Sequence, residues 1–71
     1  MVNTNLLKSE IAKKGLIQSD VAKKIGVSHQ SFNYKLHNKT EFKVDEVNRV
    51  CEVLDIPKDR LGEIFFAKGI D

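Results

Sequence analysis

The side chains best suited to specific recognition lie together in residues 29–37, which read HQSFNYKLH. Apart from Phe32 and Leu36, each carries an amide, hydroxyl, imidazole or ammonium group that can form hydrogen bonds. A helix face that only needed to be hydrated would favour Glu and Lys. Amide side chains can instead bond base edges in the major groove of DNA, where Gln and Asn suit adenine. The segment therefore predicts a polar surface that contacts base pairs.

Two short helices joined by a tight turn can present such a surface, and residues 18–37 predict this arrangement. Val21 and Ile25 are four residues apart, which places them on one face of the first helix. Gly26 can end that helix because glycine adopts the left-handed conformation without steric cost. Ser28 is a suitable N-cap for the second helix, whose two apolar residues form its inward face. The sequence therefore predicts a helix-turn-helix whose second helix enters a DNA groove.

This motif resembles that of lambda-type phage repressors and Cro-like regulators. Those proteins carry Gln, Ala, Gly, an aliphatic residue, a small cap and an aliphatic residue where this sequence has Gln18, Ala22, Gly26, Val27, Ser28 and Phe32. Further matches are His29-Gln30-Ser31, similar to the Gln-Gln-Ser that opens the recognition helix of some lambdoid repressors, and the loop Asn38-Lys39-Thr40. The resemblance extends across nearly the whole chain and is greatest to short phage-encoded regulators. It implies one all-α, five-helix, lambda-repressor-like DNA-binding domain over residues 1–71, with a short tail at 67–71.

The residue types and the resemblance together predict the DNA contacts. The expected base-reading residues are His29, Gln30, Ser31, Asn33 and Tyr34. The expected phosphate contacts are Gln18, Lys35, Asn38, Lys39 and Lys43. In the family, the counterpart of Gln18 binds phosphate and braces the first side chain of the recognition helix. The alternative for each of these residues is an ordinary hydrated surface, and the sequence does not sort Ser31, Asn33 and Lys35 between base and phosphate.

Two departures from the family pattern predict local adjustments. Ile17 occupies the position where Thr or Ser usually caps the second helix, and we expect the missing cap to cost about 1 kcal/mol. Asp20, in the first turn, partly offsets this through the helix dipole. Lys35 and Leu36 stand where many relatives have an apolar residue followed by Glu, so we expect Leu36 to supply the core contact.

Capping, breaking and periodicity signals predict the remaining helices. They predict helix one over residues 5–14, helix two over 18–25, helix three from 28 or 29 to 37, and helix four over 44–54. Asp55 stands where relatives often have Gly and tolerates a left-handed turn. Pro57 suits the first position of helix five, which carries Ile64, Phe65 and Phe66. Three large apolar side chains in a row cannot all face one core, so we expect Phe65 in the core and a weak homodimer contact through Ile64 and Phe66.

Composition and charge are typical of one small globular domain that meets nucleic acid. The 71 residues are 41% hydrophobic and 31% charged, with a net charge of +2. Residues 1–39 carry seven lysines against two acidic residues, a balance of +5, whereas residues 40–71 carry five basic against eight acidic residues, a balance of −3. The basic half contains the predicted recognition helix, as expected if one side meets phosphate.

No apolar run approaches the roughly 20 residues of a membrane span, and a signal-peptide pattern is missing, so we expect a cytoplasmic protein.

The sequence contains no recognisable catalytic, metal or cofactor site. His29 and His37 are eight residues apart, without a further ligand at zinc-binding spacing. Cys51, the single cysteine, falls on the apolar face of helix four and is expected to be a core residue. Paired carboxylates, a catalytic triad and a phosphate-binding glycine loop are all missing. We therefore expect no enzymatic activity, metal, cofactor, small-molecule substrate or membrane partner.

These features favour a sequence-specific DNA-binding transcriptional regulator. The resemblance implies a phage or prophage repressor that occupies an imperfectly palindromic operator in double-stranded DNA. The alternative is a protein-interaction module of the same fold, an antitoxin or adaptor with weak or no specific DNA binding. Salt separates the two, because DNA binding that releases counterions weakens steeply as salt rises, whereas an apolar protein contact does not.

Overall fold

The computed structural model describes residues 1–67, which form five α-helices and no strand. The helices are α1 (Thr4–Lys13), α2 (Gln18–Ile25), α3 (His29–Leu36), α4 (Val44–Leu54) and α5 (Leu61–Phe65), and a 3-10 turn (Lys58–Arg60) leads into α5. The all-α prediction is confirmed, and the predicted limits of α2 and α4 are matched at both ends. None of these helices has the length and apolar character needed to cross a membrane. The tail predicted at residues 67–71 lies, beyond residue 67, outside the described residues.

The turn between α2 and α3 follows from two residues. Gly26 has a φ of 83°, the left-handed conformation that ends α2, and its N–H donates to the carbonyl of Ala22. The Ser28 hydroxyl accepts a hydrogen bond of 3.0 Å from the N–H of Ser31, in the first turn of α3. Both predictions are confirmed. The short turn leaves α2 packed against α3 on one side and against α4 on another.

The start of α2 compensates for its missing side-chain cap. Ile17 makes no side-chain capping hydrogen bond, as expected of an apolar residue. The Asp20 carboxylate accepts a hydrogen bond of 3.0 Å from the Ile17 N–H. This bond satisfies one donor at the helix end and places a negative charge in the first turn, where the helix dipole favours it. Asp20 therefore acts through a direct hydrogen bond as well as through the predicted dipole effect.

Helix α5 begins later than the sequence predicts. Asp55 ends α4 with a φ of 53°, the expected left-handed conformation. Pro57, predicted to be the first residue of helix five, is instead extended, with a ψ of 152°. Ile56 explains the difference, because its N–H closes α4 by donating to the Cys51 carbonyl and its side chain is buried. The chain therefore turns inward before it can start a new helix.

Each of the five helices contributes one face to the hydrophobic core. The buried side chains are Leu7 and Ile11 of α1, Val21, Ala22 and Ile25 of α2, Phe32 and Leu36 of α3, Val47, Val50 and Leu54 of α4, and Ile64 and Phe65 of α5. Phe42, in the loop before α4, lies between two of these rings, with centroids 5.9 Å from Phe32 and 5.6 Å from Phe65. Both contacts are edge-to-face, an arrangement worth about 0.5–1.5 kcal/mol beyond burial. Phe42 therefore links α3 to α5.

The three apolar residues at the end of α5 have different environments. Ile64 is fully buried and Phe65 is 4% exposed, whereas Phe66 is 64% exposed. The predicted dimer contact through Ile64 is therefore wrong, because its side chain already belongs to the core of its own subunit. The Ile64 carbonyl also accepts a hydrogen bond of 2.7 Å from the Asn3 N–H. The prediction that Phe65 is the core member is confirmed, and Phe66 remains accessible.

An ion-pair network joins α1 to the turn that precedes α5. The buried Glu10 carboxylate accepts hydrogen bonds from Arg60 at 2.9 Å and from Lys13 at 3.3 Å. Burial alone would raise the pKa of Glu10, but the hydrogen bonds and charges of Arg60 and Lys13 outweigh it, so the pKa lies below the ordinary 4.5. Arg60 also pairs with Glu63 in α5. The network thus ties the first helix to the last.

Candidate nucleic-acid interface

Helix α3 presents the predicted base-reading residues to solvent. The structure places His29, Gln30, Ser31, Asn33 and Tyr34 on this one helix. His29 and Gln30 are exposed, Tyr34 is 37% exposed, and Ser31 and Asn33 are half-buried. The two apolar residues of the helix are fully buried. Packing therefore fixes which side of α3 faces outward, and that side carries hydrogen-bonding groups.

Three of the predicted contact residues form one connected unit, the Gln30–Tyr34–Lys39 cluster. The Gln30 amide N–H donates to the Tyr34 hydroxyl at 2.9 Å. The Lys39 ammonium lies 5.4 Å from the centroid of the Tyr34 ring, within the range of a cation–π contact. The Lys39 N–H also donates to the Tyr34 carbonyl at 2.8 Å, which holds the loop against the last turn of α3. The Gln30 amide and the Lys39 ammonium group are thus joined through one aromatic residue.

Gln18, the first residue of α2, holds a different residue of α3. The Asn33 amide N–H donates to the Gln18 side-chain oxygen at 3.3 Å. The resemblance implies a brace on the first side chain of the recognition helix, which is His29. Asn33 comes four residues after His29 and so lies one turn further along the same side. Because Gln18 uses its oxygen in this bond, both of its side-chain N–H groups have no acceptor within the described part of the chain and can donate to a ligand.

Lys35 is buried, so the prediction that it contacts phosphate is wrong. Its side chain is 10% exposed, and its ammonium lies 3.2 Å from the Glu46 carboxylate, whose side chain is 9% exposed. Leu36 is fully buried and supplies the predicted core contact. In the lambda-type regulators that the sequence resembles, the corresponding position is often apolar, and Lys35 likewise points inward. Glu46 makes this possible by neutralising the buried charge.

The sequence suggests Glu46 as an acidic residue suited to the start of α4 but does not predict its pairing with Lys35. Its carboxylate also accepts a hydrogen bond of 2.8 Å from the Lys43 N–H, in the residue that caps α4. Burial alone would raise the pKa of Glu46, but the Lys43 N–H and the Lys35 ammonium lower it below the ordinary 4.5. Two signals point to Glu46: a lysine at an otherwise apolar position needs a buried partner, and a Glu three residues after a helix cap is typical of a capping box.

Asn38 follows α3 in a left-handed conformation and is held by the amino-terminal segment. Its φ is 65°, which Asn tolerates better than most residues. Its side-chain oxygen accepts from the Val2 N–H at 2.8 Å, and its amide nitrogen donates to the Val2 carbonyl at 2.9 Å. The Thr4 hydroxyl donates to the Leu36 carbonyl at 2.8 Å. These three bonds form the amino-terminal clasp. One N–H of the Asn38 amide remains for a phosphate oxygen, so that contact stays a prediction.

The remaining predicted phosphate contacts are accessible. Lys39 and Lys43 lie on the surface of the loop that joins α3 to α4, and neither ammonium group forms an ion pair within residues 1–67.

Within residues 1–67, no group of three or more His, Cys, Asp or Glu side chains is arranged to hold a metal ion. Cys51 is half-buried, and burial raises the pKa of its thiol, which makes it a poor nucleophile. The surface of α3 and the loop after it therefore carries hydrogen-bond donors, hydrogen-bond acceptors and cations.

One comparison with known proteins identifies a family. A family model described as a protein of unknown function (DUF739) matches residues 3–68. The match includes all five helices and every residue of the candidate interface described above. No curated protein matches the chain.

Proposed function

We propose that this chain, which belongs to the DUF739 family, is a sequence-specific DNA-binding regulator with α2 and α3 as its helix-turn-helix. The observation that carries the proposal is the outer side of α3, where amide, hydroxyl and imidazole groups occupy the places of the usual Glu and Lys. In the major groove these groups match base edges, and each base pair presents a distinct pattern there. A lambda-repressor-like arrangement of the five helices would place α3 in that groove.

The distribution of charge supports a one-sided contact with phosphate. The carboxylates of Glu10 and Glu46 are buried and paired within the protein, so they add little negative charge to the surface. The ammonium groups of Lys39 and Lys43 are exposed beside α3. Such cations fix the position of a protein on the duplex, while base contacts supply the specificity. The free N–H groups of Gln18, at the start of α2, suit a further phosphate.

The mode of action in this proposal is occupancy. A repressor that covers its operator excludes polymerase without making or breaking a covalent bond, and it needs no cofactor. One recognition helix covers only a few base pairs, so specificity requires a second copy on a two-fold-related half-site about 34 Å away. Phe66 is the candidate contact, because it is 64% exposed and borders a groove of about 360 Å³ that Met1 and Phe42 also line. The operator would then be an imperfect palindrome.

The experiment that tests the proposal is a selection of binding sites from random duplex DNA, followed by titration of Gln30→Ala. We expect the wild-type chain to enrich a related set of sites. We expect the variant to lose roughly 1–3 kcal/mol of affinity for the cognate site and to relax base preference at one position. Affinity for random DNA should hardly change. Equal losses on cognate and random DNA would remove Gln30 from the base-reading residues.

A second function is favoured by the same exposed phenylalanine. Phe66 and the groove beside it could bind a partner protein, in an antitoxin or adaptor with weak or no specific DNA binding. The dependence of binding on salt distinguishes this function from the first. Affinity for DNA falls steeply as salt rises because counterions are released, whereas an apolar contact with a protein is nearly insensitive to salt.

A further inference from the structure

The Gln30–Tyr34–Lys39 cluster constrains the direction of a base-reading amide. Gln30 and Tyr34 are four residues apart on α3, so their side chains are neighbours on the helix surface. The amide nitrogen of Gln30, and not its oxygen, bonds the Tyr34 hydroxyl, at 2.9 Å. The orientation of the amide plane is therefore defined before any ligand arrives. Among residues 1–67, the oxygen and one N–H of this amide have no hydrogen-bond partner.

Lys39 holds the tyrosine from its other side. The ammonium group lies 5.4 Å from the centre of the Tyr34 ring, and the Lys39 N–H donates to the Tyr34 carbonyl at 2.8 Å. The Thr40 N–H approaches the same carbonyl at 3.4 Å. The Tyr34 side chain is thus held by a cation at its ring and by the bond between its hydroxyl and Gln30, while the two backbone N–H groups hold the loop against the same residue. A surface tyrosine without such contacts would sample several rotamers.

The groups left free on Gln30 form an acceptor and a donor side by side. In the major groove, adenine presents an N7 acceptor beside an N6 amino donor, and a single amide can bond both. Guanine presents two acceptors there and would leave the Gln30 oxygen facing another oxygen. An amide held in the observed direction is therefore complementary to adenine.

We propose that Tyr34 is a positioning residue that orders Gln30 as a reader of adenine. The inference rests on the proposed function and adds to it the base that is read and the residue that prepares the reader. Fixing a flexible side chain on binding costs about 0.5–1.5 kcal/mol, which corresponds to roughly 2- to 12-fold in affinity. Tyr34 removes part of that cost before DNA binds. Its effect therefore acts through Gln30 and not through a base contact of its own.

The Gln18–Asn33 pair offers an internal comparison. The Asn33 side chain is held by the Gln18 side-chain oxygen at 3.3 Å, and within residues 1–67 it forms no hydrogen bond with the Tyr34 hydroxyl. Loss of the Tyr34 hydroxyl should therefore leave any base preference that depends on Asn33 unchanged. A general disturbance of the helix would alter both preferences together.

The test is a double-mutant cycle on duplexes carrying the site selected by the wild-type chain. Tyr34→Phe removes one hydroxyl and keeps the ring, and Gln30→Ala removes the reader. Each variant and the double variant are titrated against the selected site and random DNA. They are also titrated against a duplex in which 7-deazaadenine, lacking the N7 acceptor, replaces adenine at the position assigned to Gln30. Thermal unfolding of each variant is recorded alongside.

We expect Tyr34→Phe to lower affinity for the selected site about 2- to 10-fold. Affinity for random DNA and the unfolding temperature should not change, and the same substitution should have no effect in the Gln30→Ala background. The wild-type chain should bind the 7-deazaadenine duplex more weakly than the ordinary duplex. Gln30→Ala should bind the two duplexes equally well. An equal effect of Tyr34→Phe with and without Gln30 would overturn the inference and make Tyr34 an independent contact.

Failure of the inference and failure of the proposed function give different results. If the wild-type chain enriches no sequence at all, the proposed function fails and the positioning role fails with it. If a site is enriched and Gln30→Ala relaxes it while Tyr34→Phe does not, only the positioning role fails. If Gln30→Ala relaxes a position that is not adenine, the assignment of the base is wrong.

Discussion

The Lys35 ammonium and the Glu46 carboxylate lie 3.2 Å apart in the protein interior and join α3 to the first turn of α4. The same carboxylate oxygen accepts the N–H of Lys43, the residue before α4. A buried ion is costly to leave without a partner, so each of the two charges requires the other. The orientation of α3 therefore depends on a residue ten positions beyond its end.

The first prediction concerns this pair. Lys35→Met leaves a buried, uncompensated carboxylate and should cost about 3–5 kcal/mol of unfolding free energy, enough to unfold much of so small a domain. The double variant Lys35→Met/Glu46→Leu should recover most of that loss, since an apolar pair of similar size is often neutral or stabilising. Chemical unfolding followed by circular dichroism measures both. A double variant as unstable as the single one would show that the charge balance is not what matters.

The second prediction concerns acid. The folded-state pKa values of Glu10 and Glu46 both lie below the ordinary 4.5, because their cationic and N–H partners outweigh burial. Stability from such groups is fully present above 4.5 and is lost as the pH falls through the lowered values. The free energy of unfolding in urea should therefore decline below pH 4.5. In Glu10→Gln/Glu46→Gln the decline should be shallower, and an unchanged slope would assign the acid sensitivity to other carboxylates.

The third prediction concerns phosphate. Lys39→Ala should weaken binding to random DNA and reduce the slope of log affinity against log salt by about one unit. The loss of affinity for the cognate site should be at least as large, because Lys39 also contacts Tyr34. Lys58→Ala is the matched control, because it removes the same charge from the exposed turn before α5 in the acidic half of the chain. Its slope should equal that of the wild-type chain. If the two variants have the same salt dependence, Lys39 affects DNA binding only through the net charge of the protein and does not contact a phosphate.

The fourth prediction concerns assembly. Phe66→Ser should keep the helical circular-dichroism signal, because the side chain is 64% exposed, but it should abolish cooperative binding to a palindrome. Weak half-site binding should persist. Phe65→Ser is the contrasting variant and should destabilise the fold by about 3 kcal/mol or more, since this ring is buried against Phe42. Sedimentation and band-shift titration follow both, and undiminished cooperativity in Phe66→Ser would exclude this contact.

Local signals in the sequence were sufficient for the parts of the fold that short-range interactions determine. Gly26, Ser28 and Asp55 act on their own neighbours, and the limits of α2 and α4 follow from them. The late start of α5 also has a local cause, the bond from the Ile56 N–H to the Cys51 carbonyl, which the sequence prediction overlooked. The errors about burial fall where the partner is distant in sequence. Lys35 is polar by type and buried only because Glu46 meets it, and Ile64 could be assigned to the core only with the packing of α1 known.

The candidate site likewise has features that the sequence predicts and features that depend on the tertiary structure. The polar character of α3 and the exposure of His29 and Gln30 could be predicted from residue type and helical spacing. The partners of these side chains could not be predicted, because the resemblance implies that Gln18 braces His29, whereas in the structure it bonds Asn33. Only the packing of α2 on α3 selects Asn33. Spacing limits the possible partners, and tertiary structure chooses among them.

The amino-terminal clasp has a consequence for the order in which this surface forms and opens. Val2 and Asn38 are 36 residues apart, so their two hydrogen bonds can close only after α1, α2 and α3 have come together. Contacts that close long loops form late in folding, because the entropy of closure must be overcome first. We therefore expect the bonds that join the amino terminus to the end of α3 to close late in folding. Native-state fluctuations that detach the first residues expose the backbone around Asn38 to hydrogen exchange while the rest of the core stays protected.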